Sequence, residues 1–382
     1  MKRGDRLKVV LSGMVAGTPR QGGAAWAVLQ YLIGLRQLGH EVLLVEPVER
    51  KRLAGASVTD SASAAYFRRV PDLGAQAALL VVGTEETVGA SYDDLRRFAL
   101  EADLLLNISG MLADERLVAP IPVRAYVDLD PGFNQVWHET GEAAGFEGHT
   151  HFATVGLAVG SPACLVPQCG RSWITTLPPV VLERWPAAGA PERDAFTTVG
   201  HWRSYGSIEH DGVLYGQRAH SLRGLIELPT RTRARFELAL GIHPDERGDL
   251  EALAANGWRL LDPLEVAAAP EDYAAFVRGS KAELGIAKSG YVASRSGGFS
   301  DRSSCYLASG RPVVAQNTGF SDYLPTGAGL LAFDDLDGAL AGVDDVERDW
   351  SGHSRAARAV AEEHLDSRVV LTRLLERLGA VA

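Results

Sequence analysis

Residues Lys288–Asp322, KSGYVASRSGGFSDRSSCYLASGRPVVAQNTGFSD, decide the fold. They read as a strand end, a glycine loop at Ser296-Gly297-Gly298-Phe299-Ser300, a helix over 301–309, a buried strand at Pro312–Ala315 and a second turn at Gly319. Ser300 or Asp301 suits the N-cap, and Gly310 is placed to end the helix. A glycine loop that leads into a helix offers free backbone N–H groups at the positive end of the helix dipole, a geometry that holds phosphate or diphosphate. Arg302, Ser303 and Ser304 add donors in the first turn, and Lys288 and Arg295 add positive charge. Taken alone, the same loop fits an αβ corner whose glycines serve only the turn. Its surroundings separate the two readings.

Upstream of the loop, apolar runs of strand length at Phe196–Gly200, Phe236–Leu240, Trp258–Leu261 and Glu283–Ala287 alternate with helical patterns at Arg218–Leu228, Asp249–Ala255 and Pro270–Arg278. Downstream come a strand at Gly329–Phe333 and helices at Leu336–Val343, Ser354–His364 and Ser367–Leu378. The Pro- and Ala-rich segment Pro186–Pro191 reads as a linker. Before it, Leu7–Leu11 is an apolar run followed by a loop with glycines at 13, 17, 22 and 23. A long helix then carries Trp26, Leu29, Ile33 and Leu38 near one face and stops at Gly39. Val42–Val45 completes a right-handed βαβ unit. Ala77–Val82, Leu104–Ile108 and Arg124–Leu129 are further strands, whereas Lys51–Pro71 is polar and fits no element pattern. The expected fold is α/β, with two Rossmann-like doubly wound domains facing across a cleft. Their expected spans are 1–185 and 195–350, with C-terminal helices over 351–382 packing back toward the first domain. The ligand belongs between the carboxyl edges of the two sheets.

At 382 residues the chain is long enough for two full cores. Its formal net charge of -10 argues against nucleic acid or an anionic membrane as the main partner. Three cysteines, Cys164, Cys169 and Cys305, without metal-ligand spacing, point to a reduced, cytoplasmic setting. The start MKRGDRLKVVLSGMVAG is read as leading into a first strand rather than as a signal peptide, and no apolar run reaches membrane-spanning length.

The strand near Arg124–Leu129 ends in Asp128-Leu129-Asp130-Pro131-Gly132, two carboxylates at a carboxyl edge. Either could be a base or a turn residue, and Asp130 is the stronger candidate for the base. Asp128-x-Asp130 also spells a metal motif, but the expectation is chemistry without a metal. His149 and His151, spaced i, i+2, are further base candidates or plain polar surface residues. The first glycine loop does not match G-x-G-x-x-G, although Glu46 follows the second strand where the ribose-binding acid of a dinucleotide site would sit.

The stretch SGGFSDRSSCYLASGRPVVAQNTGFSDYLPTGAGLLAF resembles the carboxyl-terminal signature of GT-B glycosyltransferases, especially the retaining sucrose- and glycogen-synthase-like group. The matching features are Ala308-Ser309-Gly310, Pro312-Val313-Val314-Ala315, Gly319 and Gly329-Leu330-Leu331. GGAAWAVLQYLIGLRQLGHEVLLVEP looks like the first βαβ unit of the same fold. The resemblance implies a nucleotide-diphosphate sugar as co-substrate, no separate cofactor, and a small-molecule acceptor, as in natural-product biosynthesis. Gly22 and Gly23 match the family's donor-side loop; with Arg203 and Lys288 as candidate clamp cations, although not at the family's Arg-x4-Lys spacing, and Gly297, Gly298, Asp301, Arg302, Ser303, Ser304 and Gly319 from the loops around the central helix, they are the expected donor contacts. The group's Glu-x7-Glu pair is missing, since Gly297 and Cys305 occupy those positions. A missing pair leaves retention and inversion both open. An epimerase of the same fold, a non-catalytic nucleotide-sugar-binding protein and a dinucleotide dehydrogenase are the competing readings.

Overall fold

The computed structural model describes residues 6–55, 57–142 and 145–381. Residues 1–5, the basic start noted above, lie outside them. The first half builds an eight-stranded sheet from β1 (Lys8–Ser12), β2 (Glu41–Val48), β3 (Ala77–Val81), β4 (Thr87–Gly89), β5 (Leu104–Ile108), β6 (Val123–Asp128), β7 (His151–Thr154) and β8 (Trp173–Thr175). Its order is β4-β3-β2-β1-β5-β6-β7-β8, and only the edge strand β4 runs antiparallel to its neighbour. β3 is buried at every position, and so is β5, as parallel strands covered on both faces must be.

The second half holds β9 (Arg193–His201), a hairpin of β10 (Ile208–His210) and β11 (Val213–Tyr215), then β12 (Phe236–Gly241), β13 (Arg259–Leu260), β14 (Ser280–Gly285), β15 (Val313–Gln316) and β16 (Leu330–Phe333). Six of these form an all-parallel sheet in the order β13-β12-β9-β14-β15-β16. In both sheets the chain starts in the middle and winds outward in both directions. That order places a topological switch point, and hence a crevice, at the carboxyl ends of β1 and β9.

The two halves are fastened on two sides. At the start of the Gly22–Gln37 helix, Gly22 N–H donates to Ala267 O (3.0 Å) and Trp26 Nε1 to Pro270 O (2.7 Å). On the other side, Ala158 N–H donates to Ser296 O (3.2 Å), Leu165 N–H to Ser294 O (2.8 Å) and Tyr215 O–H to Leu165 O (3.0 Å). The last helix, Ser367–Arg377, lies on the first half: its Leu371 and Ser367 press against Gly34 of the Gly22–Gln37 helix, where a Cβ would come within 2.6 Å of Leu371. The segment 51–71, unassigned from sequence, contains the short Ala62–Phe67 helix, whose cap Ser61 accepts from Ala64 N–H (3.1 Å). Among the described residues no helix is long and apolar enough to cross a membrane.

Candidate active site

Between the carboxyl edges of the two sheets lies a cavity of about 300 Å³. Leu129, Pro131 and Val155 line it from the first half, and Arg218, Lys288, the loop 298–303 and Gln316 from the second. A larger hollow of about 870 Å³ opens at the start of β9 and β12, the opposite edge. There Arg193 and Arg259 are both paired with Glu237. The cleft differs in holding one cation, Arg218, that has no carboxylate partner among the described residues.

Arg218 opens a short helix after β11. Its Nε donates to Ile286 O (3.0 Å) and its Nη1 to His201 O (2.6 Å). Both partners are neutral carbonyls, no carboxylate pairs with it among the described residues, and Nη2 has no partner among them. Burial, then the nearby Arg302 guanidinium, push its pKa down to about 10, which still leaves it charged at neutral pH. Arg218 was not among the expected donor contacts. The available signal was its position just past a strand-end loop at the carboxyl edge of β9.

The helix Asp301–Ala308 aims its amino end into the same cavity. Ser300 caps it by accepting from Arg302 N–H (3.2 Å), and Asp301, Arg302 and Ser303 line the wall. Deep placement raises the Asp301 pKa. Ser304 stands behind the wall, with its hydroxyl on Ser300 O (3.3 Å). Gln316 Oε1 is buried in the lining with no hydrogen-bond partner among the described residues. An orphan acceptor of that kind calls for a donor from outside the chain.

Several expected contacts have other work. Arg302 does not present a free charge, because its Nε donates to the fully buried Glu283 (2.5 Å). Arg203 is outside the lining and donates from Nε to Glu246 (2.5 Å). Gly22 and Gly23 face the second half, not an open cradle: a Cβ on Gly22 would meet Ala269 O at 2.2 Å, and one on Gly23 would meet the Tyr273 ring at 2.9 Å. Gly297, at φ +68, has Ala158 N where a Cβ would sit, 2.4 Å away, so its role is close approach of the two backbones. Gly298 does line the cavity, beside Pro131. Gly319, at φ +95, shapes the turn behind the loop.

The base candidates separate sharply. Asp128 is fully buried and accepts from Asp130 N–H (2.9 Å), Asn134 Nδ2 (2.7 Å), Gln135 Nε2 (2.8 Å) and Thr154 Oγ1 (2.7 Å). It staples the β6 end and cannot meet a substrate. His151 opens β7 at the amino end, away from the cleft. His149 precedes that strand, with Nε2 3.0 Å from Asn107 Nδ2 and its ring edge-on to Tyr126, and burial lowers its pKa. Asp130 does stand at the cleft. Lys288 Nζ contacts both its oxygens, at 2.9 and 2.7 Å, and the hydroxyls of Tyr205 and Tyr291 donate to it as well. The two residues expected to serve as base and phosphate clamp are therefore each other's partners. Glu46, in β2, accepts from Ala16 and Gly17 N–H of the first glycine loop (2.8 and 2.6 Å). A ribose hydroxyl would have to displace that loop, which removes the support for a dinucleotide site.

No protein-family model and no curated protein sequence matches the chain. Solved structures do. An alpha-glucosyltransferase in complex with UDP-glucose and DNA containing an abasic site aligns at TM-score 0.60 and 11% identity, over 97% of this chain and 98% of that one. Anabaena Alr3699/HepE in complex with UDP and glucose aligns at 0.59 and 11% identity, over 97% and 99%. AviGT4, a glycosyltransferase involved in Avilamycin A biosynthesis, aligns at 0.56 and 16% identity, over 97% of each. The chain has the GT-B fold. One expectation is overturned. Net charge does not exclude nucleic acid for this fold, since the alpha-glucosyltransferase is bound to DNA, and a small-molecule acceptor no longer follows from the resemblance.

Proposed function

We propose that the chain is a glycosyltransferase whose cleft binds a nucleotide-diphosphate sugar, with the diphosphate against Arg218 and the amino end of the Asp301–Ala308 helix. One observation carries this reading: among the described residues Arg218 is a cation held deep in the cleft by neutral carbonyls alone, at a cavity into which a helix amino end opens. As the bond from the sugar to the diphosphate breaks, negative charge grows on the leaving oxygen. A fixed guanidinium and helix N–H groups aimed at that point stabilise it more than they stabilise the bound donor. Gln316 Oε1 is placed to accept from a donor hydroxyl. The fold supports the reading, because neighbours of the same architecture were solved with UDP or UDP-glucose. The three unpaired cysteines fit a cytosolic setting.

The test is a thermal-shift panel with UDP, GDP, ADP, CDP, dTDP and NAD, followed by an assay of sugar release from the matching donor. A ligand at a hundred times its Kd stabilises the fold by roughly 2.7 kcal/mol, enough to move Tm by several degrees. A shift from one diphosphate, with slow donor hydrolysis, is the expected result. A shift from NAD alone, or binding without any turnover, would contradict it.

A further inference from the structure

We propose that the Asp130–Lys288 pair is an exchangeable latch: it ties the two halves together across the cleft, and an incoming diphosphate takes Lys288 away from Asp130. The proposal rests on the reading of the cleft as a diphosphate site. Asp130 follows β6 in the first half and Lys288 follows β14 in the second, 158 residues apart in the chain. Among the described residues, every side chain bonded to the Asp130 carboxylate, namely Lys288, Tyr205 and Tyr291, comes from the second half. Lys288 faces two ways. It holds Asp130, and it also lines the cavity with Arg218, whereas Asp130 itself is outside that lining.

The surroundings favour exchange over simple rupture. The ammonium sits among the rings of Tyr205 (4.3 Å), Phe133 (4.9 Å) and Tyr291 (5.4 Å), whose faces stabilise a cation whether or not Asp130 holds it. Lys288 keeps only 13% of its side chain exposed, so losing Asp130 with nothing in its place would strand a buried charge. A diphosphate carries more negative charge than one carboxylate and would sit between Lys288 and Arg218. Asp130 would keep its two tyrosine donors after release, so neither partner is left bare.

The experiment is calorimetric titration of UDP into the wild type, Asp130→Asn, Lys288→Met and the double variant. A latch that is shut about ten times more often than open masks affinity by that factor. Asp130→Asn should therefore bind UDP about tenfold tighter, Lys288→Met more weakly, and Asp130→Asn should have no effect on top of Lys288→Met. Equal or weaker binding by Asp130→Asn overturns the latch. A wild type that binds none of the five diphosphates overturns the donor-site reading beneath it. If circular dichroism shows that Asp130→Asn is unfolded, carbodiimide labelling of the wild type decides. Asp130 should be protected alone and labelled with UDP present, and labelling unchanged by UDP overturns the proposal.

Discussion

Arg302 Nε donates to Glu283 Oε1 at 2.5 Å, with Glu283 fully buried and Arg302 nearly so. Burial alone would lower the Arg302 pKa, but Glu283 outweighs it and holds the guanidinium above its ordinary value. Arg302 Nη1 also donates to Val199 O (3.2 Å). The residue thus ties the Asp301–Ala308 helix to β14 and β9 and fixes where the helix amino end points. Removing one charge leaves the other buried and unpaired, which costs about 3–5 kcal/mol. Glu283→Gln should lose that much stability in urea unfolding; a loss within about 1 kcal/mol, the range of an exposed pair, would contradict this.

Glu46 gives the stability a pH dependence. Burial raises its pKa from 4.5 to about 7, against the pull of N–H donors from Gly17, Ala16 and Val15. The folded state therefore favours the protonated form. That contribution is fully present below about pH 4.5 and is lost as the pH rises through about 7. It amounts to about 3 kcal/mol across the window. The stability advantage of the wild type over Glu46→Gln, from urea midpoints, should shrink between about pH 5 and about pH 8. A constant difference over that range would show that Glu46 titrates as an ordinary carboxylate.

Gly22 marks where the halves come closest. A methyl group there would lie 2.2 Å from Ala269 O and 2.6 Å from its carbonyl carbon, both backbone atoms that cannot swing aside. Alanine gains less than about 1 kcal/mol in helix propensity, while overpacking costs roughly 1–3 kcal/mol. Gly22→Ala should be destabilised overall, and its amide exchange should speed up along Pro263–Gly279. A more stable variant would show that the contact is slack.

Much of this architecture was legible in the chain. Ala77–Val82 and Leu104–Ile108 read as buried strands from their largely apolar runs; the structure makes strands of Ala77–Val81 and Leu104–Ile108, both buried throughout, and leaves Val82 exposed past the strand end. Ser300 and Gly310 bracketed the central helix, and Ser300 does cap it. The Ala62–Phe67 helix was not readable, because six residues are too few to display a period. The site was harder still. Lys288 and Asp130 each carried a functional signal, but that they neutralise each other depends on bringing together residues 158 apart. Gly22, Gly23 and Gly297 looked like phosphate-loop glycines, since a glycine chosen for close backbone approach and one chosen for a ligand are the same letter. Arg203 and Arg218 are both arginines in the same region, and only the fold shows that Glu246 claims the first.

The central claim is that the cleft holds a nucleotide diphosphate through Arg218, and calorimetric titration of UDP into the wild type and Arg218→Met tests it most directly. Loss of a charge-assisted contact costs about 1.5–3 kcal/mol, roughly a ten- to hundredfold weakening. Saturable binding by the wild type, weakened to that extent in a folded Arg218→Met, is the predicted result. Equal affinity in the two proteins would place the diphosphate elsewhere and contradict the account.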